Sequence, residues 1–354
     1  MSSILQPKIH ISLPVQEGAF GGSHRFLGAL RDYFISQDVY TQNPAEAGVI
    51  LFSASQYIPE TARLKLKYQN TVFVHRIDGP IRLYHKMSDK RDLLINTVNK
   101  IFADGTIFQS EWSKKKNKEM GMVDTSFETT IMNAPNRELF FSKESGFVGG
   151  KIKLVASSWS SYYRKGFGIY SWLDKNLDFS RFEFTFIGNS PVKFTNIISK
   201  KPLDPPLLAQ ELRKFDIFIT ASQNDPCSNS LVEALHSGLP SLVLNQGGHP
   251  ELVRNGGETF QGIEDILDKV DRVVQNYEQY QSSIDMPSME AVGSAYYNFC
   301  LEVYAKQQGG YVPKKLHALQ YVQIQSVLVI WFVWRNFQKI VKYYEKYSKK
   351  NNLK

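Results

Sequence analysis

Two spacings of apolar residues alternate along the first half of this chain. Short apolar runs at Gly48–Phe52, Thr71–His75 and Gly105–Gln109 predict buried strands. Apolar residues recur at helical spacing in His24–Ser36, and 91–103 predicts a second helix. Strands that alternate with helices favour a parallel sheet with helices on both faces, so this half predicts a doubly wound α/β fold.

The same alternation restarts after the glycines of 146–150. Four further strands are predicted in the second half: Ile152–Ala156, Phe182–Ile187, Ile217–Thr220 and Ser241–Leu244. We therefore predict two Rossmann-like domains, 1–148 and 149–305, that face each other across a cleft, followed by a helical tail at 306–354. In such folds, ligands bind at the carboxyl ends of the strands.

Composition narrows the class of protein. Of the 354 residues, 42% are hydrophobic and 21% are charged, as in globular proteins with a substantial core. The net charge is +8, but residues 306–354 contain ten Lys or Arg and one acid, so the body is close to neutral. This argues against nucleic acid as a partner. Two cysteines and a polar N-terminus without a visible signal peptide predict a cytoplasmic protein.

The most informative segment is a polar turn followed by a short helix, at 224–240. Asp225 opens the turn, the helix begins near Ser228, and Glu233 follows among apolar residues. The free N–H groups at a helix start favour a diphosphate, and two acids nearby can hold sugar hydroxyls. The alternative is that Asp225 is only a turn residue and Glu233 a solvated one, but a lone carboxylate in apolar surroundings is costly.

Basic residues lie at the same strand-end level. Arg164 and Lys165 follow a predicted strand and precede a helix, where either could neutralise a leaving diphosphate. A solvated lysine is the alternative. No Cys/His cluster has metal-ligand spacing, so we expect neither a metal nor another cofactor.

Two more strand-end segments are candidates. The glycine turn Gly18–Ser23 would let a ligand approach the backbone closely, although it could be a purely structural turn. His75 ends a strand and Asp78 follows, so either could orient or deprotonate an acceptor hydroxyl. The alternative for His75 is a buried structural histidine.

These segments resemble the family 4 glycosyltransferases, which have the GT-B fold. The resemblance is carried by Asp225 and Glu233 at the spacing of that family's E-x7-E signature, by Gly238 and Pro240, and by the turn Gly247–Glu251. It covers roughly 8–285 and implies transfer of a sugar with retention of configuration and without a metal.

The resemblance also implies roles for individual residues. Glu233 would hold the ribose of a nucleotide-sugar, Asp225 would face the transferred sugar, and Lys165 would meet the diphosphate. Backbone N–H groups of Asn229, Ser230 and Leu231 would bind donor phosphate or sugar. Gly21 and Gly22 would leave room for a substrate, and His75 would lie near the sugar.

The chain departs from the family pattern in two places. The first signature acid is Asp225 rather than glutamate, and the usual arginine before Lys165 is missing. Ser158 and Ser160 occupy that neighbourhood, and Arg164 is a possible substitute.

Taken together, the sequence predicts a hexosyl-type glycosyltransferase that moves a sugar from a nucleotide-sugar to a glycan or lipid-linked acceptor in polysaccharide biosynthesis. A non-catalytic module that binds a glycan or a partner, and a nucleotide-sugar epimerase, are the alternatives.

The tail combines an apolar stretch, Val327–Trp334, with many lysines. Eight apolar residues are too few to span a membrane, which takes about 20. A basic amphipathic helix at 320–354 could lie on an anionic membrane surface at its cytoplasmic face. The alternative is a helix that packs on the first domain, and the two halves could differ.

Overall fold

Two parallel β-sheets, each covered by helices, organise the chain. The structure is a computed structural model that describes 6–13, 22–142 and 150–351. The predicted α/β fold with two facing Rossmann-like sheets is confirmed. We call the part built on the first sheet the first lobe and the part built on the second sheet the second lobe.

The first sheet contains five strands in chain order. Its central strands are buried along their whole length, because helices cover both faces. The strands are β1 (Ile9–Ile11), β2 (Val49–Ser53), β3 (Val72–Ile77), β4 (Gly105–Phe108) and β5 (Phe127–Thr130). The helices between them are α1 (Gly22–Ser36), α2 (Ile58–Lys67), α3 (Ile81–Tyr84), α4 (Arg91–Phe102) and α5 (Glu111–Glu119).

The second sheet contains six strands in the order β11-β10-β9-β6-β7-β8. They are β6 (Ile152–Ser158), β7 (Phe182–Gly188), β8 (Ile198–Lys200), β9 (Ile217–Thr220), β10 (Ser241–Leu244) and β11 (Gly257–Phe260). The helices of this lobe are α6 (Phe167–Asn176), α7 (Pro205–Leu212), α8 (Asn229–His236), α9 (His249–Val253), α10 (Ile266–Gln275) and α11 (Tyr277–Ser282). From β6 the chain adds β7 and β8 on one side of the sheet and then β9, β10 and β11 on the other side. The position between β6 and β9 is therefore the topological switch point.

A long helix returns from the second lobe to the first. α12 (Met289–Gln308) packs against α1 and β3, and its Tyr296 and Val303 are fully buried in the first-lobe core. The structure therefore places most of 289–305 on the first lobe, whereas the sequence analysis assigned it to the second domain.

The tail forms one long helix with two different environments. The early part of α13 (Ala318–Asn351) packs on α4, where Ile324 and Val327 are buried. Farther along, apolar residues such as Val333 and Phe337 are exposed. Within the described residues, no helix is long and apolar enough to cross a membrane.

A carboxylate of the second lobe closes the start of a first-lobe helix. Glu251 accepts hydrogen bonds from the backbone N–H groups of Glu111 (2.8 Å) and Trp112 (2.7 Å) at the beginning of α5. These N–H groups have no partner within their own helix, so the contact joins the two lobes through a helix cap.

Candidate active site

A cavity of about 280 Å³ opens at the switch point of the second sheet. Its wall includes Ser157 and Ser158 at the end of β6, and Thr220 and Ser222 around the end of β9. Ser158 faces the cavity and donates a hydrogen bond to the carbonyl of Ser160 at 2.9 Å. The cavity therefore lies where parallel α/β sheets generally bind ligands.

The start of α8 forms another part of the wall. Ser228, Asn229 and Ser230 line the cavity, and the Ser228 side chain does not cap the helix. The N–H groups of the first turn, including that of Leu231, thus keep their donor capacity for a ligand. With the positive end of the helix dipole, they make a site suited to phosphate.

A second helix start meets this one from the first lobe. α1 begins at Gly22, which also lines the cavity. A Cβ atom at this position would collide with the side chain of Asn229, so only glycine allows the two helix starts to approach this closely. Gly21, predicted to act beside Gly22, lies outside the described residues.

Lys165 and Asp225 form an ion pair inside the cavity. The Lys165 Nζ lies 2.7 Å from Asp225 Oδ2, and Ser222 also donates to this oxygen at 3.3 Å. Burial favours a higher pKa for Asp225, but the charge of Lys165 and the hydrogen bonds from Lys165 and Ser222 help to hold the pKa below its usual value. Asp225 is therefore ionised at neutral pH and can accept hydrogen bonds.

Glu233 lies on the buried side of α8, and its carboxylate meets Arg25 of the first lobe. Arg25 Nη1 is 2.9 Å from Glu233 Oε1. Burial raises the pKa of Glu233, and Arg25 offsets only part of this effect. Glu233 Oε2 is buried and has no hydrogen-bond partner within the described residues.

Asp78 belongs to a polar network that reaches across the cleft. Arg76 donates to Asp78 at 3.1 Å, and Gln109 also donates to it. Arg76 then donates to Asn133 at 2.8 Å, and Asn133 donates to Asn229 at 3.1 Å. Asp78 borders a cavity of about 260 Å³ that Lys165 and Asp225 also line, so the structure brings these predicted residues together.

His75 is placed differently from the prediction. Its ring is fully buried, stacks on Phe52 with 4.1 Å between centroids, and bonds through Nε2 to the carbonyl of Ala54 at 3.0 Å. Burial lowers its pKa to about 3, so the imidazole is neutral. The structural interpretation of His75 is the one that fits, and a catalytic role in the cleft does not.

Arg164 also departs from its predicted position. Its guanidinium donates to the carbonyl of Leu83 in the first lobe and does not line the cavity beside Lys165. It therefore does not replace the arginine that is missing from the family pattern.

Sequence reasoning missed several residues around the cleft. These residues are Arg25, Gln109 and Asn133. No sequence motif contains them, because their partners lie far away along the chain and come close only in the folded protein. Arg25, near the start of α1 in the sequence, was the one with a usable signal, since a cation just after a glycine turn is a candidate anion ligand.

GT-B glycosyltransferases consist of two facing Rossmann-like lobes, with a cleft where the N–H groups of a helix start can bind phosphate. Residues 178–276 match the family model "Glycosyl transferases group 1". This range includes β7 and α8, whereas the end of β6 and Lys165 precede it. The match and the fold together support a GT-B glycosyltransferase.

Solved structures with this fold cover nearly the whole chain. HepE from Anabaena in complex with UDP-glucose is 13% identical, covers 86% of this chain and 98% of its own, and has a TM-score of 0.60. Sucrose-phosphate synthase from Thermosynechococcus elongatus is 11% identical, with coverages of 93% and 99% and a TM-score of 0.60. At such low identity, these likenesses establish the fold alone.

A curated relative comes from a virus. Uncharacterized protein 356 of Sulfolobus islandicus rod-shaped virus 1 is 24% identical in an alignment 228 residues long, which covers 52% of this chain. The match spans 63% of the length of that relative.

Proposed function

We propose that the protein is a retaining, hexosyl-type family 4 glycosyltransferase that moves a sugar from a nucleotide-sugar to a hydroxyl group. The acceptor would be a glycan or a lipid-linked intermediate of polysaccharide biosynthesis. One observation carries the proposal: the starts of α1 and α8 meet at the switch-point cavity, with Lys165 beside them. The UDP-glucose complex of HepE, which shares the fold, supports a nucleotide-sugar donor.

The donor would lie across the start of α8. The N–H groups of Asn229, Ser230 and Leu231 would hold the diphosphate, and Lys165 would balance the charge that develops as it leaves. Glu233 would accept hydrogen bonds from the ribose. These groups supply positive charge to the leaving diphosphate, and we propose that the reaction uses no metal.

The transferred sugar would face Asp225, whose ionised carboxylate can accept hydrogen bonds from sugar hydroxyls. The bond from the anomeric carbon to the donor phosphate breaks, and a bond to the acceptor oxygen forms on the same face. The departing phosphate takes the acceptor proton. Asp78, which Arg76 and Gln109 hold at the shared cavity, would orient the acceptor hydroxyl.

A donor screen tests this function. The full-length protein is mixed with UDP-, GDP- and ADP-sugars, and thermal shift and release of nucleoside diphosphate are measured. We expect one nucleotide class to raise Tm, with release of its diphosphate stimulated by a glycan or lipid-linked acceptor. Turnover of the donor to another sugar without acceptor would indicate an epimerase instead. No stabilisation and no release with any donor would overturn the proposal and favour a binding module.

We also propose that α13 rests on an anionic membrane surface at its cytoplasmic face. Most of its exposed apolar residues fall on one side of the helix, within about a 100° arc at 100° per residue, and Phe332 is exposed outside this arc. This outer stripe consists of Val322, Val329, Ile330, Val333, Phe337, Ile340 and Tyr344. The buried contacts of Ile324 lie on the opposite side, so the stripe points away from the body.

The charge of the tail fits anionic lipid. From 335 to 350 the sequence has six Lys or Arg and one acid. An amphipathic helix with basic residues opposite an apolar stripe lies in the membrane interface, and each basic residue near the surface adds about 1 kcal/mol. Lys86 of the first lobe donates to Gln338 at 3.1 Å, which holds this part of the helix against the body.

Flotation with liposomes tests the tail. We expect the wild type to float with vesicles that contain phosphatidylserine. A Val333→Asp/Phe337→Asp variant should lose about 10-fold or more of that binding, because it places two negative charges in the outer stripe, which would enter the lipid. Gln323→Asp/Asn336→Asp adds the same charge at polar positions and should retain most of it. Equal binding by both variants would contradict the proposal. The proposal would also be contradicted if size-exclusion chromatography showed a dimer of the wild type that Val333→Asp/Phe337→Asp dissociates and the control variant does not.

A further inference from the structure

The donor cavity has a shortage of free positive charge. Among the described residues that line it, the cations are Lys165 and Arg25. Lys165 is 2.7 Å from Asp225, so part of its charge is already balanced. Arg164 bonds to Leu83, and Ser158 and Ser160 stand near the position of the missing family arginine. A diphosphate in this cavity would need a second cation, because Asp225 already neutralises part of the charge of Lys165.

Arg25 has the geometry for that task. It lies on the first turn of α1, opposite the start of α8, with 22% of its side chain exposed. Nη1 contacts Glu233, whereas Nε is buried and has no partner within the described part of the chain. A guanidinium has five N–H donors in a planar fork, so one edge can hold Glu233 while another binds phosphate oxygens.

We propose that Arg25 is the second cation that binds the donor diphosphate, beside Lys165, and that it also holds Glu233 in place. The proposal rests on the function proposed above and adds a cation of the first lobe to diphosphate-binding groups that otherwise come from the second lobe, namely Lys165 and the start of α8. Diphosphate binding would then require both lobes together, because Arg25 and Lys165 reach the ligand from opposite walls of the cavity. Arg25 would be a binding residue, with a further positioning effect on Glu233.

Calorimetry on the full-length protein tests this proposal. The ligands are UDP, GDP and ADP, followed by the matching nucleoside of the diphosphate that binds. We expect Arg25→Ala to weaken diphosphate binding about 10- to 100-fold, as for loss of a charged hydrogen bond, and nucleoside binding by less than about 3-fold. Arg25→Lys should recover part of the diphosphate affinity and should keep its dependence on salt.

Arg31→Ala is the matched control, because Arg31 lies farther along α1 and pairs with Asp32 instead of lining the cavity. It should bind the diphosphate within about 2-fold of the wild type, in line with the small effect of surface charge changes. Equal diphosphate affinity of Arg25→Ala and wild type would overturn the role of Arg25 and leave the proposed function standing. Equal losses for the diphosphate and the nucleoside would mean that Arg25 acts only as a structural residue. A wild type that binds no diphosphate would overturn the proposed function and this inference with it.

Discussion

Replacing Lys165 by alanine should lower the rate of sugar transfer by about 10²- to 10³-fold, the usual cost of losing one preorganised group that stabilises developing charge. Lys165 is the cation nearest to Asp225 in the donor cavity, and its charge would balance the leaving diphosphate. The measurement is the initial rate of nucleoside diphosphate release with the donor and acceptor found by screening. Lys165→Arg keeps the charge and should retain clearly more activity than Lys165→Ala.

Lys175→Ala is the control for this prediction, because Lys175 is an exposed lysine near the end of α6, away from the cavity. Its rate should stay within about 2-fold of the wild type. Thermal unfolding must show that Lys165→Ala is folded, since Asp225 loses its partner in this variant. If folded Lys165→Ala keeps a third or more of the wild-type rate, Lys165 does not act on the diphosphate.

Replacing Asp104 by alanine should destabilise the protein by about 3–5 kcal/mol, the range for breaking a buried ion pair. Asp104 is fully buried and accepts hydrogen bonds from the backbone N–H groups of Phe73 and Lys314, both at 2.8 Å, and from the hydroxyl of Tyr311 at 3.0 Å. Its other partner is the buried Lys65, 3.9 Å away. Burial lowers the pKa of Lys65 to about 8 even with Asp104 present.

Urea unfolding followed by circular dichroism measures this effect. Asp38→Asn is the control, because the Asp38–Lys8 pair is exposed and surface pairs contribute about 0–1 kcal/mol. A change below 1 kcal/mol for Asp104→Ala would show that solvent or other groups replace its contacts. Because Tyr311 and Lys314 join α12 to α13, we also expect the variant to expose this connection to proteases.

The regular parts of the fold could be predicted from local pattern. Ile217–Thr220 and Ser241–Leu244 are strands with the predicted bounds, because a buried strand needs a continuous apolar run. α5 could not be found this way: its sequence, EWSKKKNKE, has almost no apolar stripe, and its start is stabilised by Glu251 from the other lobe. Local pattern also does not show that 266–282 forms two helices, α10 and α11, with a break at Asn276.

The candidate site divides along the same line. Asp225 and Glu233 were found because a short motif carries them, and the structure puts both at the cleft. Arg25 and Asn133 depend on contacts between residues far apart in the chain, such as the one from Asn133 to Asn229. His75 shows the opposite failure: a strand-end position predicted the cleft, but the side chain turned into the core beside Phe52.

The contact of Glu251 with α5 gives lobe opening a definite cost. If the lobes move apart, the backbone N–H groups of Glu111 and Trp112 lose the Glu251 carboxylate as acceptor, and water must take its place. Loss of a helix cap typically costs about 1 kcal/mol, equivalent to roughly a 5-fold bias toward the closed form. The exchange of product nucleotide for a new donor would then be limited by how often the contact between Glu251 and α5 breaks.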